Sequence, residues 1–516
     1  MSTFRWPLQA PILAAILAVL LAPRFADAAD RAAAQAALAS ITKEELKSHV
    51  DVLADDTFEG RETGSRGGRA AGNYVLKAFE TLGLKPAGED GTYLQSFGSS
   101  RNILGLVEGG DPHLKSQFVV LGAHYDHVGY GRSTNSYGPW GYIHNGADDN
   151  ASGVAGLLEI GDALKRLPAV PRRSILLACW DGEEAGLLGS RHWISRPTVP
   201  LARVAATINL DMIGRMQDGK LEVLGSRTAA GLRRLVSESN GEARATVDFD
   251  WSLKADSDHW PFYEQKIPFL MFHTGLHADY HRPSDDAHRI NHAGLLGATQ
   301  IAFQTVLALA DAEQLPAFRE AVRRESSWGR VALEQPAAAQ PPRFGIPFKV
   351  ESADPLKIVL TGLTPGSPAE SAGLKAGDEL LQLQGRPIES EQLFRLHLLA
   401  AAGETAFLVK RPGSDTPLLI KVTPRGDPIR VGLSWRFDDA EPGSALVTHV
   451  ISSSAAQLAG LKTRDRIYAV GGHSFQSEAD FVNLLSTVPS PMDLAVERDG
   501  KVEMRKLELL DFAPAP

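Results

Sequence analysis

The chain has 516 residues, 43% hydrophobic and 22% charged, which are the proportions of a soluble globular protein too long for one ordinary domain. With 53 Lys and Arg against 62 Asp and Glu the net charge is −9, and an acidic chain without a long basic run argues against a nucleic-acid partner. The single cysteine, Cys179, excludes an internal disulfide.

The N-terminus reads as an export signal. Arg5 precedes an apolar run from Ala10 to Ala22, and Ala26-Asp27-Ala28 supplies a small-x-small site for cleavage before Ala29. A signal peptide over residues 1–28 implies a periplasmic or secreted protein with no membrane attachment after cleavage.

From about 40 to 315, short apolar runs alternate with amphipathic stretches, the pattern of α/β architecture. Four runs are expected as buried parallel strands: Phe118 to Leu121, Ile175 to Ala178, Val204 to Leu210, and Pro268 to Phe272. Cys179 ends the second run and reads as a small core residue. Polar residues follow each run at once, which places one site beyond the carboxyl ends of the strands.

Those polar residues carry metal-ligand chemistry. After the first run come His124 and Asp126, two apart and so on one side of an extended chain, where the carboxylate can support the imidazole. Asp149 lies among small residues from Asn145 to Gly153, ahead of a helix beginning near Ser152, and can bridge two cations. Asp181-Gly182-Glu183-Glu184 follows the second run, and adjacent glutamates can divide metal binding from proton transfer. Asp211 ends the third run, and His273 to Asp285 follows the fourth with three candidate histidines. One His with two or three carboxylates per metal, and one carboxylate shared, suits a two-zinc hydrolytic site.

Residues 316–342 are expected as a linker, Pro-rich towards the end, and the remainder as an internal repeat. Gly373 and Gly460 stand 87 positions apart, as do Phe344-Gly345-Ile346 and Val431-Gly432-Leu433. One offset kept by two motifs indicates a tandem pair of small domains, over 343–425 and 428–512.

At residues 43–312 the chain resembles the co-catalytic two-zinc aminopeptidases, which share a clan with glutamate carboxypeptidase and glutaminyl cyclase. The likeness is carried by Leu53 to Arg61, Gly83 to Gly88, Gly122 to Gly129, Gly146 to Gly153, Asp181 to Glu184, Asn209 to Met212 and Tyr280 to Asp285. It implies a zinc-peptidase domain over 40–315, with a mixed, mostly parallel sheet flanked by helices. It further implies two zinc ions bridged by Asp149, one completed by His124 and Asp211 and the other by Glu184 and His281. Glu183 matches the general base and Tyr280 a donor to the oxyanion. Asp126 matches the partner of His124, and Asp285 is assigned to His281. His259, His273 and His277 match no ligand. A cis bond between Asp149 and Asn150 is also implied.

The repeats resemble β-rich PDZ domains appended to bacterial proteases, through Ala372 to Asp378 with Leu380 to Gly385, and Ala459 to Asp465 with Ile467 to Gly472. Gly345, Ile346, Gly432 and Leu433 are the expected peptide-binding positions, taking C-terminal peptides. Pro347, which lacks an N–H, is expected to weaken the first copy relative to the second, where Ser434 stands. The function expected is hydrolysis of the N-terminal bond of peptides with free N-termini. A carboxypeptidase or dipeptidase on the same metals, or a PDZ scaffold with a dead peptidase, are the alternatives. A chain ending near Leu315 is expected to retain activity on small substrates.

Overall fold

A computed structural model describes residues 28–509, except 242, 244, 339 and 353. The expected signal peptide lies outside the described residues apart from Ala28, which begins a helix. Residues 510–512 at the end of the second repeat also lie outside them.

The first unit is built on nine strands: β1 (Lys85–Pro86), β2 (Leu94–Phe97), β3 (Ser100–Val107), β4 (Phe118–His124), β5 (Ser174–Trp180), β6 (Val204–Leu210), β7 (Lys220–Leu224), β8 (Thr246–Asp250) and β9 (Phe269–His273). They form one sheet in the order β1-β3-β5-β4-β6-β9-β7-β8, with β2 beside β3. The four apolar runs are its centre, β5-β4-β6-β9, and every pair among them is parallel. The flanks are mixed: β3 and β7 run antiparallel to their inner neighbours. Parallel strands need cover on both faces, and the alternation of side chains supplies it. Val119, Leu121, Ile175, Leu177 and Cys179 enter one core, while Val120, Leu176, Ala178 and Trp180 enter the other.

The helices of this unit are α1 (Ala28–Ser40), α2 (Lys43–Leu53), α3 (Arg66–Thr81), α4 (Gly153–Arg166), α5 (Leu188–Ser195), α6 (Leu232–Ser239), α7 (His259–Glu264) and α8 (His292–Asp311). The 20-residue α8 is long and apolar enough to cross a membrane, yet most of it is buried, its Leu295, Ile301, Val306 and Leu309 entering the larger core.

Residues 316–342 are not a bare linker. They hold a 3-10 turn (Glu320–Arg324) and a helix (Ser327–Glu334), and Glu325 is bonded to Arg227 and Arg319. Charged side chains with good partners on the first unit fasten this segment, which the proline count alone concealed.

Two further sheets follow, one over Phe348–Val422 and one over Leu433–Leu507. They share fastenings 87 residues apart. Arg411 Nε donates to Asp378 at 2.8 Å, and Arg498 Nε donates to Asp465 at 2.6 Å. Ser367 and Ser454 each cap a four-residue helix. Phe348 packs on Phe394 as Trp435 packs on Phe481. Gly345 and Gly432 have φ of 75° and 84°, and a Cβ on either would fall 2.3 or 2.2 Å from the Cβ of Ser367 or Ser454, so only glycine fits.

The last unit is docked on the first. Glu441 accepts from the backbone N–H groups of Arg233 and Arg234, so it caps the start of α6 from another domain. Arg227 is bonded to Asp438, and Asn240 to Gly500 O.

Candidate metal centre

The site sits where β4, β5, β6 and β9 end. β4 delivers His124, and the turn after β5 delivers Glu183 and Glu184. Asp211 follows β6 directly, and Tyr280 and His281 lie beyond β9. Asp149 belongs to a tight turn ahead of α4 that starts at Gly146. Gly146 has φ 54°, and a Cβ there would fall 2.1 Å from Asp149 O. The bond from Asp149 to Asn150 is cis. Asn150 ties this turn to the end of β6: its Nδ2 donates to Leu210 O, and its Oδ1 accepts from Met212 N.

Two clusters of donor atoms result, each within 4.8 Å: His124, Asp149 and Asp211, and His127, Asp149, Glu184 and His281. Asp149 belongs to both. Its Oδ1 lies 3.3 Å from His124 Nε2, and its Oδ2 lies 3.0 Å from His281 Nε2. Asp211 Oδ1 is 3.5 Å from His124 Nε2, and Glu184 Oε2 is 3.1 Å from His281 Nε2. All five expected ligands therefore converge. Buried carboxylates this close repel one another unless cations lie between them.

The electrostatics match a cation site. Burial alone would lower the pKa of His281, but the Asp149 and Glu184 carboxylates override it and push it up to about 11. Burial holds Glu183 well above the usual carboxylate range, with the neighbouring Glu184 adding to it. Burial likewise raises Tyr280, whose ring stacks on His281 at 3.9 Å, so its hydroxyl keeps its proton at neutral pH.

Supporting residues hold this arrangement. The Asp126 carboxylate accepts from Glu183 N at 3.1 Å and Glu184 N at 3.4 Å, while its backbone carbonyl lies 3.2 Å from His124 Nδ1. Asp285 does not reach His281: it accepts from the backbone N–H of Asp148 and Asp149, and His281 Nδ1 instead meets Asn135 O at 3.0 Å. Asp285 thus aims the shared carboxylate. His277 contacts Asp148, His273 contacts Asp211 O and His259 contacts Lys254 O, none of them within either cluster.

Three residues escaped the sequence reading. His127 Nδ1 lies 2.8 Å from Glu184, and its Nε2 is buried without a partner. It lies in the Gly122 to Gly129 motif, three after His124, which was the available signal. Arg61 is buried and donates to the carbonyls of Leu53, Tyr125, Asn145 and Gly146, gathering the loops behind the site. Burial lowers its pKa to about 10 against the pull of Asp149 and Asp285. Ser257 Oγ donates to Asp211 Oδ2 at 2.5 Å, and nothing in its local sequence marked it.

The chain matches the model of peptidase family M28 over residues 102–306, a span that includes both clusters. The model of a PDZ domain matches residues 446–498, within the last unit. The chain is similar to leupeptin-inactivating enzyme 1 of Streptomyces exfoliatus, 29% identical over 47% of this chain and 50% of that protein. Aminopeptidase YwaD of Bacillus subtilis (strain 168) is 30% identical over 42% of this chain and 46% of its own. The chain spans about half the length of these curated relatives. Among solved structures, the LapA aminopeptidase of Legionella pneumophila is 19% identical with a TM-score of 0.46, covering 55% of this chain and 76% of that one.

At the C-terminal end, Gly345 and Ile346 line a cavity of about 210 Å³ with Phe344, Phe348 and Leu398. The structure corrects the reading of Pro347. Its carbonyl accepts from Thr361 N at 2.9 Å, so its polar edge faces the neighbouring strand of its own sheet. The lost N–H therefore removes no donor to a ligand.

Proposed function

We propose that this protein is a zinc-dependent aminopeptidase that hydrolyses the first peptide bond of peptides with free N-termini. The observation that carries this reading is Asp149, whose two oxygens face two separate donor sets beside Glu183. His124, Asp149 and Asp211 would hold one zinc, and Asp149, Glu184 and His281 the other, with His127 at the second. Bound zinc supplies Lewis acidity, lowering the pKa of water and polarising the scissile carbonyl.

The chain's own residues do the remainder. Glu183 accepts the proton of the attacking water and passes it to the leaving amine, a task suited to a carboxylate whose pKa is raised. Tyr280 donates its hydroxyl hydrogen to the developing oxyanion. Asp126 fixes the Glu183–Glu184 turn, so base and ligand keep their relative places.

The unit over 343–425 is a second PDZ domain in this reading, supported by the fastenings 87 residues apart. Gly345 and Ile346, and Gly432 and Leu433, would receive peptide C-termini. Export through a signal peptide at residues 1–28 would place the enzyme in the periplasm or outside the cell. The test is hydrolysis of a panel of aminoacyl p-nitroanilides, with and without chelator, beside N-acetylated versions. Cleavage of free substrates that stops with chelator is expected. Cleavage of only N-blocked peptides would favour a carboxypeptidase and overturn the reading, and no cleavage with zinc bound would favour a scaffold.

A further inference from the structure

The two ends of the metal centre differ in exposure. Around His124 and Asp211, the neighbouring Ser257, Asp258 and His259 are 0%, 1% and 0% exposed. Beside His281, the loop between β4 and Asp149 exposes Tyr137 at 66%, Trp140 at 58% and Tyr142 at 63%. Large aromatics gathered on a surface mark a binding site, whereas scattered ones do not.

This loop is fastened to the site. The Tyr137 N–H donates to His281 O at 3.1 Å, and Ser136 Oγ donates to the same carbonyl at 2.9 Å. Arg282 donates to the carbonyls of Tyr137 and Gly138. The Tyr137 ring lies 6.1 Å from that of Tyr280 and 6.5 Å from that of His281. Trp140 Nε1 donates to Ser136 O at 3.1 Å, which sets its ring beside Gly138. The Tyr280 and Tyr137 rings therefore lie side by side, Tyr137 on the loop that also carries Trp140.

An exopeptidase site needs one end that stops the chain and one through which it leaves. The buried His124 end can take only a terminal residue, so the rest of the peptide must pass the His281 end. We infer that Tyr137 and Trp140 form a lip that holds apolar or aromatic side chains of the substrate just beyond the scissile bond. The preferred substrates are then oligopeptides with an aromatic second or third residue. This inference rests on the aminopeptidase reading. It adds which leaving portion the enzyme selects.

The experiment uses the full zinc-loaded chain and three substrates sharing the best N-terminal residue: its simple amide, its Gly-Gly extension and its Phe-Phe extension. The wild type should favour Phe-Phe over Gly-Gly in kcat/KM on the order of tenfold, mostly through KM. Tyr137→Ala and Trp140→Ala should each lose most of that preference while cleaving the simple amide within about twofold of wild type. Tyr137→Phe, which keeps the ring, should retain it. An absent preference in the wild type overturns the lip. So does an equal fall on all three substrates with zinc content unchanged, which would make the loop a support for His281. If none of the three is cleaved with zinc bound, the aminopeptidase reading itself falls and takes the lip with it.

Discussion

Arg233 of α6 and Glu497 of the last sheet face each other in a two-bonded pair, Nε to Oε2 and Nη2 to Oε1, both at 3.0 Å. The carboxylate is fully buried, and the guanidinium also lies over the Phe249 ring at 4.4 Å. Removing one member of a buried pair strands the other. Glu497→Ala should therefore cost about 3–5 kcal/mol of stability, read as a lower midpoint in urea. A chain ending near Leu315 loses this pair and the Glu441 cap together. We expect it to be less stable and to lose activity on heating before the full chain does, while still cleaving small substrates at lower temperature. An unchanged midpoint for both would show that docking adds nothing.

Glu183 and Glu184 are adjacent but face different tasks. Glu183→Gln should retain its zinc yet lose activity on the order of 10²–10⁴-fold, since an amide cannot take the proton. Glu184→Gln should release metal, because its Oε2 lies 3.1 Å from His281 Nε2 and belongs to the same donor set. Metal content by atomic emission, measured beside kcat, separates them. Equal zinc loss in both would refute the division.

Asp149→Ala should empty both ion positions at once, since each oxygen serves one donor set. His281→Ala and Asp211→Ala should each empty one. Titration with zinc, counting sites by calorimetry, checks this. One ion retained by the Asp149 variant would show that the carboxylate is not shared.

Zinc uptake should release protons. The cation-free site pushes His281 up to about 11, so its ring is protonated at neutral pH and must give up that proton to coordinate. Apparent affinity should rise with pH. The calorimetric heat should vary with the ionisation enthalpy of the buffer, with at least about one proton released per chain. A heat independent of buffer would contradict it.

Glu441 gives the docking its own pH response. Burial raises its pKa from 4.5 to about 7, against the pull of Arg466 and despite two backbone donors. The folded state therefore binds more protons than the unfolded state between those values, and stability falls as pH rises from about 4.5 to about 7. Above that window the penalty is complete, and below it absent. Glu441→Gln should flatten this part of the stability profile relative to wild type. Identical slopes would exclude Glu441 as the source.

The central strands and the five converging donors were legible because apolar runs followed at once by His, Asp or Glu leave little freedom in a parallel sheet. The capped helix α6 was not, since its cap Glu441 lies 208 residues away, and neither were the flanking strands β7 and β8. His127 lay in view without a role, for one His among several carries no sign of which ring turns inward. Asp285 was placed on the wrong partner because sequence neighbours suggested His281, whereas the turn brings backbone N–H groups of Asp148 and Asp149 closer. Pro347 misled for a related reason: an N–H has a direction, and only the strand pairing reveals it.

The shared arginine–aspartate clamps also show where the two C-terminal units part ways. Glu497, which receives Arg233, stands where the first unit has Lys410, at the same offset of 87. A lysine there would meet Arg233 with like charge. This position thus serves as one part of an address, beside Glu441, Asp438 and Gly500, that seats the last unit on the first.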